Sequence, residues 1–270
     1  MKYFSSAFLA CAIAAFASCG TETDDTWMGS FPVGASAADE VAGSYTRVLA
    51  VGDFLYAVDT RSVITYDLSD RDNPVEVDRT DVGLAVETIF HLDGNLFIGS
   101  SRGMFTYSIA DDGHPVRRGR FDYSLVTGGV EPCDPVVANS RTAFATLYAE
   151  DAGVQTCGGD RGDVEMLVVM DITNLDRPTL VNTYNTPTPR GLALDGDFLF
   201  VCNDASGLTV FDVSDPARVT MVDRVVGVMA WDVIAKDGVL IVVGTEEVVQ
   251  YDYADPTDLV ELSRLPYSRT

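Results

Sequence analysis

A chain of 270 residues with 41 Asp and Glu against 18 Lys and Arg carries a formal charge of −23. Such a polyanion repels DNA and RNA, and an apolar fraction of 47% excludes disorder of the chain as a whole. The length suits one large domain or two small ones, with ample material for a core.

The acid is mostly Asp, 31 residues against 10 Glu, and the bases are 16 Arg and only 2 Lys. An excess of this kind either draws cations and basic partners or forms a solvated, salt-adapted surface; it says nothing of the fold.

Residues 1–18 read as a secretory signal, with Lys2 as its charge, Phe8 to Phe16 as its apolar run and small residues before Cys19. The run falls well short of the roughly 20 apolar residues that span a bilayer. Phe16-Ala17-Ser18-Cys19-Gly20 resembles a bacterial lipoprotein cleavage site. The resemblance implies lipidation of Cys19, attachment to the membrane through acyl chains alone and a mature charge of −24. An ordinary cleaved signal peptide is the alternative. Residues 19–44 are acidic at first, then rich in Gly, Ala and Ser, and read as a flexible tether.

From residue 45 to 270 the chain repeats itself. Five segments share an order: an apolar strand, a polar turn, a second strand, a short turn, a third strand ending in Asp, then Pro and a fourth strand. The third-strand anchors fall at Asp67, Ser108, Asp171, Asp212 and Asp252, spaced by 41, 63, 41 and 40 residues. Pro74, Pro115, Pro178, Pro216 and Pro256 follow the same beat, opening turns where a proline cannot sit in mid-sheet. Second strands such as Phe54-Leu55-Tyr56-Ala57-Val58 and Phe198-Leu199-Phe200-Val201-Cys202 are short apolar runs of the kind buried on both faces. No segment of the mature chain reads as a helix. A period near 40 with four strands predicts an all-β β-propeller, because a small sheet cannot bury both faces alone whereas stacked sheets can. Five four-stranded blades are expected, at about 45–85, 86–126, 133–187, 189–228 and 229–270, with Val41 to Tyr45 as a strand-like stretch that would complete the last blade near Leu259 to Ser263.

The wording of the unit, as in Gly207-Leu208-Thr209-Val210-Phe211-Asp212-Val213-Ser214-Asp215-Pro216, resembles the LVIVD-repeat family of bacterial secreted proteins. The resemblance runs from about Ser44 to the C-terminus. It implies a propeller and an exported location, and no common activity; the lipid anchor would hold the protein in the cell envelope, at the outer membrane on its periplasmic or surface face.

The 63-residue interval exceeds the beat by 22, and alignment divides the excess between two places. Six residues fall around Thr127 to Pro132, before the first strand of blade three, and the other 16 fall between its second and third strands, from about Ala149 to Asp163. Blade-to-blade connectors and second-to-third-strand loops leave a propeller on the same face, so both insertions decorate that face. Cys133 lies at the start of the first strand of blade three and Cys157 inside the longer insertion, and a disulfide between the two would pin that loop, stabilising by roughly 3 kcal/mol. Two free thiols are the alternative, and Cys202 reads as a small buried residue.

The same face holds the start of every innermost strand. Equivalent positions there are Thr46, Glu87, Asp134, Arg190 and Trp231, followed by Arg47, Thr88, Pro135, Gly191 and Asp232. Residues that differ between repeats are free to serve a ligand, so Thr46, Arg47, Glu87, Asp134, Arg190, Trp231 and Asp232 are the candidate site, fit for a sugar, a small polar molecule or a cation. The competing reading pairs Arg190 with Glu87 or Asp134, so that the ring only closes the channel.

Other motifs carry less. Gly99-Ser100-Ser101-Arg102-Gly103 fits a hydrolase pattern but lies between strands, with no helix to follow it. Arg161-Gly162-Asp163 spells an adhesion tripeptide, but three residues match by chance often, and it reads as part of the acidic loop. His91 and His114 have no cysteine at zinc spacing, and the Asp-rich turns lack EF-hand spacing, so no metal and no cofactor is expected. The sequence thus points to a monomeric, lipid-anchored envelope module that binds an envelope protein or a small polar ligand. The alternatives are an exported carbohydrate-active enzyme using Glu87 and Asp134 as acid and base, and a structural part of an envelope complex.

Overall fold

The computed structural model describes residues 47–267 apart from 84, 134 and 150–162. These residues form five four-stranded antiparallel sheets, each with its strands in chain order. Blade one comprises β1 (Val48–Val51), β2 (Phe54–Val58), β3 (Ser62–Asp67) and β4 (Val75–Asp81). Blade two holds β5 (Val86–Leu92), β6 (Asn95–Ser100), β7 (Gly103–Ile109) and β8 (Pro115–Asp122). Blade three holds β9 (Val136–Ala138), β10 (Thr142–Ala149), β11 (Val164–Asp171) and β12 (Thr179–Asn185). Blade four is β13 (Leu192–Asp195), β14 (Phe198–Cys202), β15 (Leu208–Asp212) and β16 (Thr220–Val225), and blade five is β17 (Asp232–Lys236), β18 (Val239–Val243), β19 (Glu247–Asp252) and β20 (Val260–Pro266). The expected five-bladed, all-β architecture is the one observed.

The repeat is physical as well as textual. In every blade the pairing of the third strand with the fourth slips by one residue at the same place: Thr65/Tyr66, Thr106/Tyr107, Val169/Met170, Val210/Phe211 and Gln250/Tyr251. A bulge of this sort adds twist, which a blade needs to pack obliquely on its neighbour. Directly after the third strand, Asp67, Asp171, Asp212 and Asp252 each accept the N–H two residues on, at 2.7 to 2.9 Å. The recurring Asp therefore holds a turn, and that is where part of the acidic excess goes.

These turns have a pH signature. The Ser69 N–H on Asp67, and the hydroxyl and N–H groups of Thr173 and Ser214 on Asp171 and Asp212, hold the three carboxyls below the usual carboxylate range. A depressed folded-state value gives stability that is present above the unfolded pKa of about 3.9 and lost as pH falls through the folded value. Urea midpoints measured from pH 6 to pH 2 should show Asp212→Asn weaker than the parent at pH 6 and equal to it near pH 2; an offset that stays constant with pH would contradict this.

Consecutive blades pack face to face, and four core clusters fill the joints from blade one to blade five. The front face of a blade supplies an aromatic from its second strand, Tyr56, Phe97, Phe144 or Phe200, all at most 2% exposed. The rear face of the following blade receives it, as Leu96, Ile98, Phe105 and Tyr107 receive Tyr56. Polar clasps reinforce the joints: the Tyr56 hydroxyl donates to the Gly113 carbonyl at 2.8 Å, the Thr106 hydroxyl to the Leu175 carbonyl at 2.7 Å, and the Tyr253 hydroxyl to Asp195 Oδ2 at 2.7 Å. Among the described residues no cluster joins blade five to blade one.

One expectation is corrected. The connector after β8 contains a helical turn, α1 (Ser124–Thr127), closed by Gly128 in the left-handed conformation, whose N–H bonds the Ser124 carbonyl. Four residues are too few to show a helical period, so the sequence pattern had no signal to give.

Candidate functional site

Backbone bonds bring three loops together on one face. The N–H of Arg190 donates to the Cys202 carbonyl and that of Gly191 to the Trp231 carbonyl, each near 2.8 to 2.9 Å, while Asp204 and Ala230 form an isolated β-bridge. At the centre of this weave is Asn203, fully buried. Its amide donates to Thr186 Oγ1 at 2.9 Å and to the Pro187 carbonyl at 2.8 Å, and its Oδ1 accepts from Thr209 Oγ1 at 2.7 Å. Both N–H donors and the carbonyl oxygen of that side chain are engaged, which fixes the connector between blades three and four against blade four.

Two residues of the weave hold backbone conformations that side chains rarely adopt, Thr188 at φ 39° and Asp204 at φ 50°. Asp tolerates this, but a β-branched Thr does not without support. Thr188 has it: its N–H donates to Glu165 Oε1 at 3.1 Å and its hydroxyl to the Asn203 carbonyl at 2.9 Å.

Arg190 lies against this frame with its side chain 14% exposed. Its guanidinium carbon sits 4.0 Å from the centroid of Tyr148 and 4.5 Å from that of Trp231, and its Nη2 and Nε donate to Asp204 Oδ2 at 3.0 and 3.3 Å. A planar guanidinium can stack and pair at once, which an ammonium cannot. The structure pairs it with Asp204, from the turn between β14 and β15; of the two expected partners, Asp134 lies outside the described residues.

The other predicted positions fare differently. Arg190 and Trp231 are in contact. Asp232 is buried, its Oδ1 accepting from the Val233 N–H at 2.9 Å, and a Cβ on Gly191 would run into its carboxylate. Arg47 is exposed at the start of β1, where its carbonyl accepts the Val58 N–H, and Glu87 lies at an irregularity of pairing in β5. Thr46, Asp134, Cys19 and Cys157 lie outside the described residues. Cys202 is buried, and its thiol is pushed up by burial and by the nearby Asp232, which makes it unreactive. Cys133 forms an isolated bridge with Tyr148, so the base of the expected disulfide stands beside the Arg190 cluster. Among the described residues no group of His, Cys, Asp or Glu has the makings of a metal site.

Next to Tyr148 opens a cleft of about 650 Å³ lined by Tyr148, Asp163, Glu165, Asn185, Thr186 and Thr188 among others. It lies where β10 ends, β11 begins and the connector leaves for blade four, the face on which the sequence placed both insertions. Tyr148, Glu165, Asn203 and Asp204 escaped the list of ring positions. Asp204 sits in a turn, and a turn's partner 14 residues away leaves no period to read.

Comparison with known proteins gives the LVIVD repeat at residues 162–186 and 189–226, which is β11 and β12 together with blade four. Solved structures match at the level of fold. A Lactobacillus plantarum protein superposes with a TM-score of 0.60 at 14% identity, over 80% of this chain and 69% of that one. A protein of unknown function from Desulfotomaculum acetoxidans gives 0.62 at 10% identity, over 81% and 68%. The periplasmic gluconolactonase of Pseudomonas aeruginosa gives 0.59 at 14% identity, over 80% and 68%. Among curated proteins none matches the chain.

Proposed function

We propose that this five-bladed propeller, which carries LVIVD repeats at residues 162–186 and 189–226, is an exported, lipid-anchored binding module of the cell envelope. Its Cys19 carries the lipid, and a Cys133 to Cys157 bridge pins the loop over the binding face. The signal-like N-terminus supports export, as does the description of one structural neighbour as periplasmic. The observation that carries the binding reading is the cleft beside the Arg190 cluster. Its described charges are Asp163 and Glu165, and Tyr148, Asn185, Thr186 and Thr188 supply hydroxyl and amide groups. A rigid floor, two carboxylates and neutral polar walls suit a polar ligand bearing a positive group, presented by a small amine or by a basic segment of an envelope protein.

Titration calorimetry with spermidine and with a short lysine peptide tests this. Both should bind the full chain, more weakly as salt rises from 20 to 200 mM, and Glu165→Gln with Asp163→Asn should lose at least tenfold in affinity. Unchanged affinity in that double variant, or turnover of an added polysaccharide, would overturn the proposal.

A further inference from the structure

The register of the five sheets makes the rear faces directly comparable. Leu96 pairs with Tyr107 and Ile98 with Phe105 in blade two; Ala143 with Met170 and Ala145 with Val168 in blade three; Leu199 with Phe211 and Val201 with Thr209 in blade four; Leu240 with Tyr251 and Val242 with Val249 in blade five. All of these are at most 8% exposed. In blade one the same positions are Leu55 with Tyr66 and Ala57 with Ile64. This face is as apolar as the others, yet all four residues stay partly exposed, Val48 beside them is 52% exposed, and none belongs to a core cluster. Pro74, which leads into β4, is exposed, whereas Pro115 and Pro178 at the same place in blades two and three are buried.

The front face of blade five lacks what the other front faces bring to a joint. Those pair Tyr56 with Thr65, Phe97 with Thr106, Phe144 with Val169 and Phe200 with Val210, all at most 2% exposed. Blade five pairs Ile241 with Gln250 there, both partly exposed, and Leu265 on β20 is 37% exposed where its counterpart Phe121 is buried.

The rear face of blade one is suited to meet itself. Its one large ring, Tyr66, lies diagonal to its one small residue, Ala57, so a two-fold rotation can set each ring over the other copy's Ala57. Its border holds charges of both signs. On β4, Arg79 stands opposite Ile64 and Glu76 opposite Tyr66. Arg79 donates to both Glu76 oxygens at 2.9 Å and to Asp59 Oδ2 at 3.3 Å, and all three side chains are nearly half exposed. The same rotation brings this border against its own copy, where each Arg79 finds carboxylates of the other chain. In a chain of charge −23, which repels its copies, an apolar face within a nearly balanced polar rim is what association requires. A sheet face about 15 Å wide and about 20 Å long buries roughly 500 Å² on each copy, the lower end for a specific interface, so the dimer is weak and builds up with concentration.

We propose that the rear face of blade one seats a second copy of this chain, in an isologous dimer in which Leu55, Ala57, Ile64 and Tyr66 of the two copies pack together and Arg79 pairs across the rim, in place of the monomer that the sequence suggested.

Sedimentation equilibrium of the full chain from about 1 to 200 µM should show a reversible rise from one chain mass to two. Ala57→Arg and Tyr66→Asp should each weaken association at least tenfold while keeping the parent's circular dichroism; if Tyr66→Asp does not fold, Ala57→Arg carries the test. Arg79→Glu should weaken it too, and Arg79→Glu with Glu76→Arg should restore it. With Val48 replaced by the photo-crosslinker benzoylphenylalanine, a mixture of isotope-labelled and unlabelled chains should give mixed cross-links to blade one. A single chain mass throughout that range would overturn the proposal. So would a dimer that survives Ala57→Arg, or mixed cross-links that run to blade five.

Discussion

Asn203→Ala is expected to lower stability by about 3 kcal/mol, because the Thr209 hydroxyl, the Pro187 carbonyl and the Thr186 hydroxyl each lose a buried partner worth roughly 1–3 kcal/mol when left unmet. For a domain of this size that is a fall in melting temperature of about 6–12 °C. Asn203→Asp should be worse at neutral pH. It turns two donors into acceptors and places a carboxylate against the Pro187 carbonyl, in a site with no exposure. Burial raises that carboxyl's folded-state pKa, so its penalty is full above the folded value and shrinks as pH falls toward the unfolded value near 4. Melting temperatures at pH 7 and pH 4 check both points. A shift under 2 °C for Asn203→Ala, or an Asp penalty that does not shrink with acid, would contradict the clasp.

Arg190→Ala should cost about 2–4 kcal/mol, through loss of a largely buried ion pair and two ring contacts. Arg190→Lys keeps the charge but cannot stack and fork together, and should recover less than half of the loss. A double-mutant cycle with Asp204→Asn isolates the pair, with a coupling of about 1–3 kcal/mol expected. Coupling below 0.5 kcal/mol would mean that Arg190 is held by the rings alone. Trp231 emission should change in Arg190→Ala and stay near the parent's in Asp204→Asn, since only the first removes the cation from the indole.

The blades were legible because the Asp anchors, the prolines and the apolar second strands report local geometry, a turn and a two-faced strand, that each unit must satisfy by itself. The insertion arithmetic pointed to the face that carries the cleft for the same reason: strand alternation fixes which loops leave together. The content of the site was not so legible. Arg190 and Trp231 came from repeat position, but the partners that hold them, Tyr148 and Asp204, belong to the end of one strand and to a turn in the left-handed conformation, where no period applies. Asn203 looked like an ordinary turn residue; only its full burial shows it to be a clasp. Leu55, Ile64 and Tyr66 mislead in the opposite direction. Their pattern is that of core residues, yet they stay partly exposed, and among the described residues no core cluster joins blade five to blade one.

Taken together, the Asp turns set the blades, the front-to-rear joints stack them, and the Asn203 clasp gives the cleft a stiff wall beside a charged and aromatic cluster. The acidic excess is then divided between turns that are structural and a few carboxylates, Asp163 and Glu165 foremost, that face the cleft.

Hydrogen–deuterium exchange of the full chain with and without saturating lysine peptide tests the central claim most directly. Binding in the cleft predicts slower exchange confined to residues 145–149, 163–167 and 185–190, with no such protection in Glu165→Gln. Protection on the outer strands β4, β8, β12, β16 and β20 instead, or the same protection in Glu165→Gln, would place the interaction elsewhere and contradict the account.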